Sequence, residues 1–322
     1  MSLVLQQKLS SYPLDNLKPE FQRLVLSERD ALAQEVRPLH IGILNLMPTE
    51  FWEQTEQEWL QPLSESPLQV VPHLIALNQY DSQNSDRDGR IAQYYEQIAN
   101  IKEHGLDGLI ITGANIMEGL DSASFKEEFT DIINWARQNI ASTLLSCWSA
   151  HAGMELLYGV KKERVKNEQG ENQKAWGVFA HTHTQQEEKR HFLASGMDDR
   201  YFAIHSRNNR FPDNLPAEVQ VLIQSEIFGR KEVGLAIAGK GLFVFSQNHP
   251  EYKTQHLDEE KKRDAARGGI ILPENYYLPN GNIENTWRAN SSILFKNWIE
   301  FVYQNTHEDI HQQFQKGNIH FS

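Results

Sequence analysis

Apolar residues recur along this chain at two periods, and the switching between the periods outlines its elements. Leu39-His40-Ile41-Gly42-Ile43-Leu44-Asn45-Leu46 is a nearly continuous apolar run that stops at Pro48, as a buried strand does. A helical pattern follows over 52–63, and 68–77 reads as a second strand. Ile91, Tyr94, Tyr95 and Ile98 share one helical face, which predicts a helix over 90–101. Residues 107–113 read as a strand ending in a glycine turn. Phe125, Phe129, Ile132, Ile133 and Ala136 form an amphipathic stripe, and Ser124 and Glu127 have capping-box spacing at its start. Residues 143–146 make a short apolar strand, and 148–158 a helix closed by Gly159.

Strand and helix alternate through this half, which predicts βαβ units: a three-layer α/β fold, mostly parallel, with helices on both faces of the sheet. Five later runs, 177–180, 201–205, 219–224, 233–238 and 242–246, are closely spaced and predict hairpins that add antiparallel strands. Helices are expected over 254–266 and 291–303, and the polar stretch 161–174 reads as a surface loop. Residues 1–37 are polar and partly amphipathic, with Phe21, Leu24, Val25 and Leu32 able to line one face. They are expected to form an arm on the domain or on a second subunit. With no internal repeat or linker, 38–304 reads as one domain and 305–322 as a polar tail.

The formal charge of −12 disfavours nucleic acid as a main partner, because an acidic surface repels phosphates. An anionic substrate then requires a local cationic site. The single cysteine, Cys147, excludes an intrachain disulfide and a cysteine-rich zinc site. No signal-peptide core or apolar run of membrane-spanning length is present, so a cytoplasmic protein with no membrane partner is expected.

Ligands of open parallel sheets bind outside the carboxyl ends of the strands. Cys147 stands at such an end, directly before a helix whose N-terminal partial charge stabilises a thiolate. Strand, nucleophile and helix in that order make a nucleophile elbow. A lone cysteine ending a buried strand is more often a small core residue, so the reading needs a base. His249 follows the last strand, and Glu251 two residues on can fix its tautomer and stabilise its cation. The three residues make a candidate catalytic triad.

At these residues the chain resembles a known family, the homoserine O-acyltransferases, which transfer succinyl or acetyl groups on the class I glutamine-amidotransferase-like fold. The resemblance runs from about residue 39 to 303. It is carried by Ile41 to Pro48, Ser66-Pro67-Leu68-Gln69-Val70, Asp107 to Ala114, Ser142-Thr143-Leu144 with Cys147-Trp148, and His205-Ser206-Arg207. His249-Pro250-Glu251-Tyr252, Arg263-Asp264, Pro273-Glu274-Asn275-Tyr276 and Thr286-Trp287-Arg288 complete it. The resemblance implies that Cys147 attacks the thioester of an acyl-coenzyme A, with His249 as acid and base and Glu251 as its partner. An amino-acid hydroxyl, homoserine's in methionine biosynthesis, would then take the acyl group in ping-pong fashion. It also implies an oxyanion hole at the Trp148 amide, substrate contacts from Lys174, Ser206, Arg207 and Arg263, and a homodimer. Acyl-coenzyme A enters as co-substrate, with no bound cofactor and no metal.

The chain departs from the family pattern in places. Thr49 and Glu50 follow Met47-Pro48 where the family often has lysine, and a short insertion includes Phe51 and Trp52. The donor-selecting loop after Ala114 is about one residue short, so Met117, Glu118 or Gly119 falls at the selecting position and the donor stays open between succinyl and acetyl. Ser149-Ala150-His151-Ala152-Gly153 and Gln247-Asn248 are unusual for the family and leave the acceptor open to serine or a related hydroxy-amino acid. Three other readings compete. A glutaminase or peptidase-like hydrolase would use the same triad with another acceptor. A silent binding protein would have no reason to keep all three residues. A metal enzyme would draw on His181, His183, His73, His151 and His205, where His-x-His on a strand puts both rings on one face.

Overall fold

The computed structural model describes residues 3–5, 9, 11–13, 25–26, 37–78, 89–117, 119–265 and 272–306. Its strands, in chain order, are β1 (Leu3–Val4), β2 (Val25–Leu26), β3 (Leu39–Leu44), β4 (Val70–Ala76), β5 (Tyr95–Gln97), β6 (Gly108–Ile111) and β7 (Ser142–Ser146). They continue as β8 (Glu163–Arg164), β9 (Ala175–His183), β10 (Arg200–Arg207), β11 (Asn209–Arg210), β12 (Val219–Ile227), β13 (Arg230–Ala238) and β14 (Phe243–Ser246). The helices are α1 (Trp52–Ser64), α2 (Arg90–Tyr94), α3 (Ile98–His104), α4 (Lys126–Asn139), α5 (Trp148–Tyr158), α6 (His256–Ala265) and α7 (Arg288–Asn305).

The main sheet runs β10-β9-β12-β13-β14-β7-β6-β3-β4-β1-β2, with β5 also on β4. Pairing from β14 through β7, β6, β3 and β4 is parallel, and β13, β12, β9 and β10 extend it antiparallel. The central strands read as unbroken apolar runs because both faces are covered. Ile110, Leu144 and Val244 pack into the core that holds Trp59 of α1 and Trp298 of α7. Their neighbours Leu109, Leu145 and Phe245 join Ile101, Phe129 and Met154 on the other side. This is the expected three-layer α/β fold. Among the described residues no helix is long and apolar enough to cross a membrane.

Some local expectations are corrected. The helix expected over 90–101 is two helices broken by β5, because Tyr95–Gln97 pairs with Leu74–Ala76 at the sheet edge. Backbone pairing there overrides a helical apolar stripe. The start of α4 falls later than the capping-box spacing predicts: the helix begins at Lys126, and Phe125, not Ser124, occupies the cap position. The loop expected over 161–174 contains β8, which pairs with β11 as a separate ribbon. The expected hairpins appear. β12 and β13 join through Phe228 and Gly229, both at positive φ (49° and 71°), as tight hairpin turns require.

Of the expected N-terminal arm, β1 pairs with both β2 and β4, and Leu9 and Tyr12 are buried in the core. Phe21, Leu24, Leu32 and residues 307–322 lie outside the described residues.

Asp107, fully buried before β6, ties three distant segments together. It accepts from Arg37 Nη1 (2.8 Å) and Nη2 (2.6 Å), the His40 amide (2.7 Å) and Thr306 Oγ1 (3.0 Å). Removing one partner of a buried charge pair typically costs about 3 kcal/mol or more. Asp107→Ala is expected to lower stability by about that much, and Asp107→Asn, which keeps an acceptor, by less. Urea unfolding tests this; equal midpoints for Asp107→Ala and the parent would show that the cluster contributes nothing.

Candidate active site

The carboxyl ends of β6, β7 and β14 meet at Cys147. The turn from β7 into α5 places Cys147 at φ 53° and ψ −111°, a conformation that costs a non-glycine residue about 1–3 kcal/mol. Several bonds hold it there. The Cys147 amide donates to Ser246 O (2.8 Å), and the His151 amide donates to Cys147 O (3.2 Å). Ser149 Oγ accepts from the Ser146 amide (2.9 Å) and donates to Ile111 O (2.8 Å), clamping β7 to β6 beneath the elbow. Gly153 lets α5 lie close on β7, since a Cβ there would stand 2.7 Å from Leu145 Cδ2. Gly113 leaves the space above: a Cβ there would stand 3.5 Å from Cys147 Cβ and 4.0 Å from His249 Cε1. The free thiol is partly exposed.

His249 follows β14, and its amide is fixed to Ile204 O at 2.9 Å. Its Nδ1 bonds Glu251 Oε1 at 2.7 Å, which leaves the other ring nitrogen for its hydrogen bond with Cys147. Burial alone would lower the His249 pKa. The Glu251 carboxylate, the Cys147 thiolate and hydrogen bonds to both outweigh burial and raise it well above the ordinary histidine value. The imidazole of His249 therefore favours its charged form, and the three residues form one connected chain.

The cleft over Cys147 has a volume of about 200 Å³. Trp148, Lys174, Ser206, Arg207, Arg263 and Met117 all line it, so the structure brings most of the sequence-predicted site residues together. Gly119 is not on its wall and faces Glu155. Glu118 lies outside the described residues. Glu50 is exposed on a 3₁₀ turn, while Phe51 reaches the cleft and carries the Arg263 guanidinium 4.7 Å above its ring. Trp52 is a core residue, stacked on Tyr95 and bonded through Nε1 to Met47 O at 2.6 Å. Among the described residues no carboxylate is ion-paired with Arg263. Arg207, by contrast, is buried and held by Glu232 at 2.5 Å.

Sequence reasoning missed the hub of the cleft's other wall, Glu260 of α6. It accepts from Trp176 Nε1 (2.7 Å) and Ser206 Oγ (2.8 Å), with Lys174 Nζ at 3.4 Å and His256 Nε2 at 3.6 Å. Burial alone would raise the Glu260 pKa, but His256, Lys174 and Ser206 hold it well below the usual carboxylate range. His256 also bonds Glu58 Oε1 at 2.5 Å and stacks on Tyr252, whose other face stacks on His249. A signal for this wall was present: His256, Glu260, Arg263 and Asp264 follow helical spacing along one face of α6.

Four of the imidazoles weighed as metal ligands, His205, His181, His183 and His73, are engaged in hydrogen bonds, and His151 packs its ring edge-on against Phe211. Arg207 Nε donates to His205 Nδ1 (3.1 Å), His205 Nε2 donates to His181 Nε2 (3.2 Å), and His181 Nδ1 donates to Phe179 O (3.0 Å). His183 Nε2 bonds Asp198 O, and His73 bridges His40 and Glu96. Among the described residues no group of three or more candidate side chains is placed to hold a metal ion.

The mostly parallel α/β sheet, with its cysteine elbow and strand-end histidine, has the glutamine amidotransferase-like fold. The same fold appears in a Thermoplasma acidophilum protein described as a component of GMP synthase, with a TM-score of 0.50 and 16% identity, covering 88% of this chain and 100% of that one. Within that class, the model of the homoserine O-succinyltransferase family matches residues 10–308, and the chain belongs to that family. It is 36% identical to a homoserine O-acetyltransferase of Clostridium botulinum, over 89% of this chain and 92% of the relative. It is also 36% identical to a homoserine O-succinyltransferase of Photobacterium profundum, over 92% of each. Membership makes it an acyltransferase.

Burial would lower the His256 pKa, but Glu58 and Glu260 raise it from 6.5 to about 9. Its contribution to stability is therefore fully present below about pH 6.5 and is lost as pH rises through about 9. A shift of that size corresponds to about 3 kcal/mol. His256→Gln is expected to be less stable than the parent by about that amount at pH 6, with the gap shrinking toward pH 10. Urea unfolding across that range checks it; a gap independent of pH would mean that the imidazolium charge is not what stabilises.

Proposed function

We propose that this acyltransferase moves an acyl group from acyl-coenzyme A to the hydroxyl of homoserine through a thioester on Cys147, serving methionine biosynthesis. The observation that carries the reading is the partly exposed Cys147, backed by buried His249 and Glu251, opening on a cleft whose far wall bears Arg263, a cation held by no carboxylate among the described residues. The Cys147 sulfur attacks the thioester carbonyl, and the oxyanion forms at the N-terminus of α5, by the Trp148 amide and the loop after Ala114. Collapse expels coenzyme A as its thiol, which takes its proton from His249. The neutral imidazole then removes the proton of the amino-acid hydroxyl as that oxygen attacks the Cys147 acyl group. The thiolate leaves, and the starting ion pair is restored. Glu251 holds the imidazole in place throughout.

The acceptor has both an ammonium and a carboxylate. Glu260, kept ionised at the cleft wall, suits the first, and Arg263 suits the second. Anchoring both ends aims the hydroxyl at the acyl group, which favours transfer over hydrolysis.

Cys147→Ala is expected to abolish transfer and any acyl adduct, and His249→Ala to lower kcat by at least about 10²-fold. Intact-mass measurement after mixing with acetyl- or succinyl-coenzyme A, followed by homoserine, tests both halves. An adduct that survives Cys147→Ala, or that homoserine does not discharge, would overturn the proposal.

A further inference from the structure

Phe51 lines the cleft together with Arg263 and has no part in the proposed chemistry. Its place is set by the residues around it. It closes a 3₁₀ turn, Thr49–Phe51, in which its amide donates to Pro48 O (2.9 Å) and its carbonyl accepts from Thr55 Oγ1 (2.9 Å). Trp52, the next residue, is buried: Nε1 donates to Met47 O, and the ring stacks on Tyr95 with centroids 4.3 Å apart. The Tyr95 hydroxyl donates to Glu56 Oε1 (2.8 Å) and accepts from Asn45 Nδ2 (2.9 Å), and Asn45 Oδ1 accepts from the Met47 amide (3.1 Å). Trp52 thus anchors the start of α1 in the core, while Phe51 beside it reaches the cleft.

Arg263 lies in the last turn of α6. Among the described residues no hydrogen bond or ion pair holds it, and its guanidinium carbon stands 4.7 Å from the centre of the Phe51 ring. Lys174 also lies over a ring, that of Trp176, but Glu260 draws it as well, at 3.4 Å. A carboxylate holds an arginine by occupying its N–H donors. A ring face attracts the cation and leaves that planar fork for another carboxylate. A long side chain loses rotamer freedom when it grips a ligand, and one already held in place loses less.

We infer that Phe51 is a positioning residue for the transfer step, its ring holding the Arg263 guanidinium where the carboxylate of the amino-acid acceptor arrives. The inference rests on the acceptor site and the Cys147 thioester proposed above. It confines the effect to one half of the reaction. The donor acylates Cys147 before the acceptor binds, so acylation is indifferent to the Phe51 ring and discharge is not. A ring that merely filled space would not act through Arg263.

The test uses Phe51→Leu, Phe51→Tyr, Arg263→Ala and the variant combining Phe51→Leu with Arg263→Ala, with homoserine as acceptor and acetyl- or succinyl-coenzyme A as donor. In a ping-pong reaction kcat/KM for each substrate reports its own half-reaction. Phe51→Leu should lower kcat/KM for homoserine by roughly three- to thirtyfold, mainly through KM. It should leave kcat/KM for the donor and the intact-mass adduct on Cys147 unchanged. Phe51→Tyr, which keeps the ring face, should stay within about twofold of the parent. In the Arg263→Ala background, Phe51→Leu should cost less than about twofold, because the two residues act as one unit. Fully additive losses in that background, equal losses in both half-reactions, or a Phe51→Leu that matches the parent would each overturn the inference. So would a Phe51→Leu that forms no adduct, since a ring needed for folding or acylation is more than an acceptor-side support. In all these cases an adduct in the parent leaves the thioester reading standing; a parent that forms none from either donor removes both.

Discussion

The site depends on one constraint: a backbone turn that no ordinary cysteine would adopt. Positive φ at Cys147 is unfavourable by itself, so the surroundings must over-determine it. They do so from three strands at once. Ser246 on β14 takes the Cys147 amide, Ser149 bridges β7 to β6, and the first turn of α5 closes on the Cys147 carbonyl. Close packing of Gly153 on Leu145 leaves α5 little room to slide. The elbow is therefore a property of the sheet, and the sulfur inherits both its exposure and its place at a helix N-terminus from it.

Two histidines near this turn show how environment assigns roles. His249 and His205 are both buried, yet their pKa values move in opposite directions. His249 faces a carboxylate and a thiolate, which overcome burial. His205 faces Arg207 and other imidazoles, which add to burial and hold it well below the ordinary value. One is held in its charged form. The other is a neutral link in a hydrogen-bonded chain from Arg207 to the Phe179 carbonyl. Burial alone distinguishes neither; the charge of the nearest partner decides.

Much of this was legible in the sequence, for identifiable reasons. The β7–Cys147–α5 boundary was readable because a buried strand, a helix and Gly159 as its left-handed cap each leave a local signature. The His249–Glu251 pair was readable because its partners are two residues apart. The break in the helix after Tyr94 was not, because β5 owes its existence to pairing with β4, a contact without a local signature. Arg207 shows the same limit from the other side. The resemblance implied a substrate contact for it, and its pairing with Glu232, on a strand reached only through the fold, had no local signature. Glu260 was missed because its importance comes from four partners on three different segments.

The charged side chains that line the cleft bear on transfer against hydrolysis. In an acidic chain, Glu232, Glu251 and Glu260 are each matched by a neighbouring cation or donor inside the fold. Arg263 is held over an aromatic ring and, among the described residues, by no carboxylate, which suits it to an incoming anion. On the proposed chemistry, water can reach an acyl-Cys147 but cannot grip Arg263 and Glu260 together. An amino alcohol can, and it uses that grip to hold its hydroxyl beside His249. Binding energy from groups far from the reacting atoms is thereby spent on orientation, which water has no means to match. On that chemistry the reaction is set by the wall facing the nucleophile as much as by the nucleophile.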